Sequence, residues 1–296
     1  MKKALLSIDG GGIRGIIPLC ALVELERQTG LQTRQIFSFI AGTSTGAIIT
    51  AGIALGIRAE KLLEIYRTIG PQVFVPNWLL FIRSLGSYKY AVEPLRKFIA
   101  DYAGETTLNE LPVEVMITAI RVTDGHSWYF VRDNASNGQS TGHLKLSDVV
   151  TASAAAPTYF EPYYVPTVGV CVDGGVGVAG NPLYQSCVEA FYYSDSHYLP
   201  ADTTVVSLGT GFLEGGSSSP ANLIDWVRWI VGELLDAPSQ QQTQITQRHF
   251  NTAGTVRINP RLPYAIEMDD VKAINELERM GMAFAQQLDW KKLLGL

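Results

Sequence analysis

Three glycine-bearing turns hold the residues able to do chemistry: Asp9-Gly10-Gly11-Gly12-Ile13-Arg14-Gly15, Gly42-Thr43-Ser44-Thr45-Gly46 and Asp173-Gly174-Gly175. In the second, an apolar run of strand length, Ile36 to Ala41, leads into a serine flanked by glycines, and a longer apolar run, Ala47 to Leu55, leads out. A serine in such a strand-to-helix turn has its hydroxyl lifted clear of the sheet, and bulky neighbours would crowd it, which is why Gly42 and Gly46 stand two residues to either side. The first N–H groups of the following helix point towards it and favour developing negative charge. Ser44 is therefore the candidate nucleophile for an acyl carbonyl.

The other two turns supply what such a serine needs. Gly11 and Gly12, within a loop completed by Gly10 and Gly15, lack Cβ atoms and can bring backbone N–H donors close to an oxyanion; Thr45, directly after the nucleophile, offers another. Arg14 either holds this loop or counters negative charge, or is a surface arginine at the start of a helix. Asp173 ends a buried run, Val168 to Val172, and Gly174 and Gly175 leave it uncrowded. Partial desolvation there raises a carboxyl pKa above its usual value near 3.9 and makes it a better proton acceptor. An Asp before Gly-Gly also caps a turn through its own backbone.

Other readings of the same stretches carry less. Gly10 to Gly15 fits G-x-G-x-x-G, but a dinucleotide site wants an acidic residue at the end of the second strand, where Ala41 stands. The uncharged stretch Ile36 to Ile57, with G-x-x-x-G pairs at Gly42/Gly46 and Gly52/Gly56, has the length of a membrane span, yet it would bury Thr43, Ser44, Thr45 and several glycines in lipid. For a Ser-His-Asp triad the histidine should follow the acid in the chain, which leaves His197 and His249. Neither follows a strand, and His126 and His143 precede Asp173. A Ser44/Asp173 dyad is the simpler arrangement, and its acid limb should report a carboxylate and not an imidazole near 6.5.

The elements that must position these turns begin β-α-β-α: a strand Ala4 to Ile8, a helix from Ile16 through Glu26 closing at Gly30, then the second strand and the serine turn. That opening predicts a mainly parallel sheet flanked by helices, in which the turns after the strands share one edge and converge. Further on, the pattern predicts a short helix Ala59 to Tyr66, a helix Val92 to Tyr102, and a strand Val113 to Val122 hairpinned through Thr123-Asp124-Gly125 to Ser127–Val131. It then gives a helix capped by Ser147 and ended at Ala156 by Pro157, and a strand Thr203 to Leu208. Helical stripes follow at Leu223 to Leu234 and at Val271 to Leu288. Pro71 to Ser84 is apolar and aromatic, either core or an exposed lid, and Gly215 to Pro220 reads as a flexible loop. No repeat or boundary divides the chain: residues 1–215 are expected to form the catalytic core, with 216–296 as helices on the same domain.

Composition limits the partners. The 296 residues are 47% hydrophobic and 17% charged, with a formal net charge of −5, which argues against nucleic-acid binding and against a polybasic membrane anchor. Contact with a membrane or lipid aggregate would then be transient and mainly apolar. Cys20, Cys171 and Cys187 are scattered and odd in number, as buried thiols in a reducing compartment would be. The apolar run after Met1 stops at Asp9, too short for a secretory leader, so a cytoplasmic location is expected.

Taken with their order and spacing, these residues resemble the patatin-like phospholipase family. Asp9–Gly15 is similar to its glycine-rich oxyanion element, Gly42–Gly46 to its nucleophile turn and Asp173–Gly175 to its D-G-G/A motif; Ala152–Phe160, Asn181-Pro182 and Ser207–Gly211 are softer matches. The resemblance covers Lys3 to Gly211. It implies a single patatin-like α/β domain and a Ser/Asp dyad that hydrolyses acyl esters of lipids through an acyl-enzyme, with no metal or cofactor. The alternatives are a Ser-His-Asp esterase and a non-catalytic module that uses the glycine loop to hold a nucleotide or an anionic head group.

Overall fold

The computed structural model describes residues 3–77, 88–136, 140–213, 221, 226 and 239–295. Eight strands form one sheet among these residues: β1 (Lys3–Ile8), β2 (Phe39–Gly42), β3 (Glu114–Arg121), β4 (Ser127–Phe130), β5 (Tyr163–Val165), β6 (Gly169–Asp173), β7 (Thr203–Leu208) and β8 (Gly254–Ile258). Their order is β5-β6-β3-β2-β1-β7-β8, with β4 also pairing β3. The run β3-β2-β1-β7-β8 is parallel, whereas β4, β5 and β6 add antiparallel pairings. The fold is thus mixed α/β with a mostly parallel central sheet.

The helices with both ends described include α1 (Ile16–Thr29), α2 (Thr33–Ile36), α3 (Thr45–Ala54), α4 (Ala59–Val73), α5 (Glu93–Ala103), α6 (Leu146–Ala154), α7 (Leu183–Val188), α8 (Ile274–Ala285) and α9 (Trp290–Leu294), and residues 239–249 are helical as well. Successive residues of a strand face opposite sides of the sheet, so the central strands must be apolar on both. Leu6 and Ile8 of β1 accordingly pack with Leu22 and Leu25 of α1 and Leu277 of α8. Leu5 faces the other way, towards Phe39, Leu183 and Phe250. The expected stripe on Val271 to Leu288 is thereby met by α8, which lies in the same apolar cluster as α1.

Several elements differ from the periodicity reading. Helix α4 runs to Val73 instead of stopping at Tyr66, because Ile69 and Val73 continue the buried stripe of Leu62, Ile65 and Tyr66, and Pro71 lies within its last turn. Helix α6 starts at Leu146 with Lys145 at the cap, so Ser147 is inside the helix, and it ends at Ala154, two residues early. The stretch Ile36 to Ile57 is a strand, a turn and a helix, and among the described residues no helix is long and apolar enough to cross a membrane. The C-terminal region, expected to be helical, also supplies β8, which extends the parallel sheet beside β7. Most of the predicted stripe from Leu223 to Leu234, the loop Gly215 to Pro220 and most of the aromatic stretch up to Ser84 lie outside the described residues.

The central crossover is tight where β2 turns into α3. A Cβ on Gly46 would lie 2.2 Å from the Ile8 carbonyl oxygen, and one on Gly42 would lie 2.2 Å from the Gly46 carbonyl oxygen. Both neighbours are backbone and cannot swing aside. Gly46→Ala is therefore expected to lower stability by about 3 kcal/mol, at the upper end of overpacking effects; urea unfolding measures this, and an unchanged midpoint would show that the two segments are not in tight contact.

Candidate active site

Ser44 sits between β2 and α3 with φ 55° and ψ −121°, an uncommon conformation for a residue with a Cβ. Three bonds over-determine it. The Ser44 N–H donates to Ser153 Oγ at 2.9 Å, Gly46 N–H to the Thr43 carbonyl at 2.7 Å, and the Thr43 hydroxyl to the Ala179 carbonyl at 2.5 Å. Thr43 Oγ1 also lies 2.7 Å from Thr118 Oγ1 on β3. Strained backbone held in this way is characteristic of functional positions.

Asp173 reaches the same place by a route the sequence reading did not anticipate. Its strand does not run parallel to the others: β6 is antiparallel to β3, and Asp173 pairs with Ala119. Gly42 pairs with Ile117, so Ala119 lies two residues further along β3, level with the serine turn. Strand β6 thus enters from the carboxyl edge of the parallel strands and stops there. The Asp173 N–H donates to the Ala155 carbonyl at 3.1 Å, so the end of α6 holds both the serine, through Ser153, and the acid.

Ser44 and Asp173 are 8% and 3% exposed and line the same cavity, close enough for the Ser44 hydroxyl to act on the Asp173 carboxylate. The carboxylate accepts the Gly175 N–H at 2.8 Å. Burial pushes the Asp173 pKa up to about 6, only partly offset by the Ser44 hydroxyl and the Gly175 N–H. The expected rise is therefore present, and it carries the carboxyl into the imidazole range, so an acid limb near 6 does not by itself tell a carboxylate from a histidine. Geometry separates them. No histidine lines the cavity beside Ser44; His126, His143, His197 and His249 are all exposed, and His249 Nδ1 pairs with the Tyr184 hydroxyl at 2.8 Å.

The glycine loop crosses the same edge. Gly11 and Gly12 adopt φ 155° and 58°, and a Cβ on either would lie 2.3 Å from Thr210 Oγ1 or from the Met268 carbonyl oxygen respectively. The Ile13 N–H donates to the Met268 carbonyl at 2.8 Å, and the Gly10 N–H to the Gly180 carbonyl at 3.0 Å. Gly10 is thus a structural member of the loop and its N–H is not aimed at substrate. The Gly11, Gly12 and Thr45 N–H groups make no hydrogen bond among the described residues and remain as donors. Gly15 packs against the Thr45 side chain, whose hydroxyl lies 2.6 Å from the Tyr66 hydroxyl, and Gly174 packs against Thr118. Arg14, at 7% exposure, is buried and is not the surface arginine of the alternative reading.

A cavity of about 160 Å³ opens beside the dyad, reached by Gly12, Ser44, Thr45, Asp173 and Gly175. Its walls are apolar, with Ile69, Val73 and Phe74 on one side, Leu95 and Phe98 on another, and Tyr159, Phe160 and Met268 closing it. Phe74, the one aromatic of the suspected lid among these, is part of that wall. Apolar walls of this kind suit a hydrocarbon chain, and the groups at one end are a serine hydroxyl, a buried carboxylate and backbone N–H donors.

Sequence reasoning missed several supporting residues. Asp9 is clamped by Arg257 at 2.9 and 2.5 Å, with Ser239 and Ser207 bonded to the same guanidinium. A lone arginine in the short strand Gly254–Ile258 was the available signal. Ser153 lay within the alanine-rich helix already noted, but nothing in that pattern marks its hydroxyl as a partner of Ser44. Met268 carried no signal at all.

Comparison with known proteins finds a family model and several relatives similar to this chain. The profile described as patatin-like phospholipase matches residues 6–185. A cGAMP-activated phospholipase of Escherichia coli is 32% identical over 77% of this chain and 67% of its own. Another from Vibrio cholerae is 32% identical over 90% and 83%, and Patatin-17 of Solanum cardiophyllum is 30% identical over 80% and 69%.

A buried carboxylate whose folded pKa exceeds its unfolded value favours the fold when protonated and disfavours it when ionised. For Asp173 the stabilising state is complete below pH 4 and is lost as pH rises through 6. Asp173→Asn removes this dependence. The variant should gain about 3 kcal/mol over the parent at pH 8 and nothing at pH 4, the equivalent of the two-unit shift; chemical denaturation across that range checks it, and an equal difference at both pH values would refute the assignment of burial as the cause.

Proposed function

The chain belongs to the patatin-like phospholipase family, and we propose that it cleaves lipid acyl esters with Ser44 as nucleophile, Asp173 as base and an oxyanion site formed by the N–H groups of Gly11, Gly12 and Thr45. Ser44 Oγ attacks the ester carbonyl while its proton passes to the Asp173 carboxylate, which lines the same cavity. Negative charge develops on the carbonyl oxygen beside the three N–H donors at the start of α3 and the glycine loop. Protonated Asp173 then returns its proton to the leaving alkoxide, and an acyl-enzyme remains. In the second half Asp173 takes a proton from the water that attacks the acyl carbonyl and gives it to Ser44 Oγ as the acyl–oxygen bond breaks, which releases the fatty acid and restores the serine hydroxyl and the carboxylate.

The observation that carries this reading is that Ser44 and the desolvated Asp173 line one end of the same apolar cavity, which no histidine lines. A pKa near 6 suits a base at neutral pH, since the carboxylate is ionised yet binds a proton far better than an exposed one. The Ser-His-Asp alternative lacks a histidine within reach. A head-group-binding module without catalysis has no use for a desolvated carboxylate against the serine. Two relatives are cGAMP-activated phospholipases, and we extend activation by that cyclic dinucleotide to this chain as part of the proposal, so assays are run with and without it.

Hydrolysis of phospholipids, lysophospholipids, acylglycerols and p-nitrophenyl esters tests the proposal. Ser44→Ala and Asp173→Asn should each abolish turnover and fluorophosphonate labelling while remaining folded, whereas Gln at His126, His143, His197 or His249 should leave most activity. The parent's kcat/KM should fall below pH 6 as Asp173 is protonated. A folded histidine variant as inactive as Asp173→Asn would replace the dyad by a triad.

A further inference from the structure

The acyl wall of the cavity and the oxyanion loop come from distant parts of the chain, and one carboxylate joins them. Asp269 Oδ2 accepts the Tyr90 hydroxyl at 2.7 Å and pairs with Lys89 Nζ at 3.0 Å. Lys89 in turn lies 4.8 Å over the Tyr159 ring, and the Lys89 and Tyr90 N–H groups both donate to the Tyr159 carbonyl, at 3.1 and 2.8 Å. On its other side Asp269 follows Met268, whose carbonyl takes the Ile13 N–H and sits against Gly12. We propose that Asp269 is a positioning residue for the oxyanion site: by fastening Met268 to the Lys89-Tyr90 segment, it holds the Gly12 N–H at the place where negative charge develops. The inference rests on the acyl-hydrolase reading of the site.

The segment that carries Met268 has little else to fix it. Between the Phe212–Arg261 bridge and the turn Val271–Ala273 it forms neither strand nor helix. Its ties to the rest of the described chain are Leu262, which is buried and bonded through its N–H to the Phe212 carbonyl, the buried Ile266, the Met268 side chain and carbonyl, and the Asp269 carboxylate, and of these the Met268 side chain and carbonyl lie next to Gly12. The Asp269 side chain is 13% exposed, so its attraction to Lys89 is screened less than that of a surface pair. Gly12 cannot brace itself, since φ 58° is a conformation glycine enters and leaves freely. Removing the carboxylate frees Met268 to move away from Gly12. A donor misplaced by about 1 Å acts weakly in the transition state and can cost about 10²-fold in rate, whereas the ground-state fit of the acyl chain in the cavity is untouched.

The test compares Asp269→Ala, Asp269→Asn, Lys89→Met and Tyr90→Phe, each titrated for active sites with a fluorophosphonate and assayed on p-nitrophenyl acetate and p-nitrophenyl octanoate. Glu278→Ala is the control, because it breaks the Arg67–Glu278 pair between α4 and α8, a link of similar kind that does not touch the loop. Expected for Asp269→Ala is a fall in kcat of about 10- to 100-fold on both esters, with KM within about 3-fold. Asp269→Asn, which still accepts from Tyr90, should recover most of that loss, and Lys89→Met and Tyr90→Phe should fall between. Two results overturn the proposal: a loss no larger than that of Glu278→Ala, or a loss confined to the octanoate with raised KM, which would make Asp269 a support of the cavity wall alone. Should Asp269→Ala fail to fold, the three milder variants carry the same decision. Ser44→Ala, run alongside, separates failures: activity there sinks the hydrolase reading, whereas a dead Ser44→Ala with normal Asp269 variants sinks only the positioning role.

Discussion

The conformation of Ser44 is the constraint on which the rest of the site depends. A side chain held at φ 55° between a strand and a helix costs about 1–3 kcal/mol and persists only when its surroundings leave no alternative. Here those surroundings are close-packed backbone and a few buried hydroxyls. Gly46 presses against Ile8, Gly42 against Gly46, and the Ser44 N–H is spent on Ser153. Ser44 and Thr45 line the same cavity, and the Thr45 N–H makes no hydrogen bond among the described residues.

The second constraint is electrostatic. Asp173 is desolvated, and among the described residues only the Ser44 hydroxyl and the Gly175 N–H act to lower its pKa. Asp9, equally buried, is instead matched by the Arg257 guanidinium and the Ser239 hydroxyl. Two buried aspartates thus have opposite fates for a physical reason. The paired one anchors the start of the glycine loop, and the other has its affinity for protons raised by burial.

Both arrangements recruit the C-terminal region. Arg257 comes from β8 at the sheet edge and Met268 from the stretch after it, and Met268 with Thr210 encloses the two glycines from opposite sides. That region is more than helical cover for a finished core, since the loop proposed to carry the oxyanion donors is shaped partly by residues 257 and 268.

The sequence alone determined the three turns, the strand-turn-helix around Ser44, the α/β class and most helices of the described chain, because these depend on contacts within a few residues: glycine spacing, capping residues and apolar periodicity. Tertiary structure decided what depends on distant partners. No local pattern states that β6 runs antiparallel to β3, yet that direction is what stops Asp173 level with Ser44. The Gly10 and Gly11 positions look alike in sequence; only the Gly180 carbonyl takes the Gly10 N–H out of use. Helix α4 outruns its predicted end because Ile69 and Val73 find a buried surface to cover, and β8 forms because β7 offers an open edge. Asp173 before Gly-Gly reads equally as a turn cap or a base, and it accepts the Gly175 N–H as a cap would. Its pKa near 6 comes from burial by segments far away in the chain, a property that exists only once the chain has closed around it.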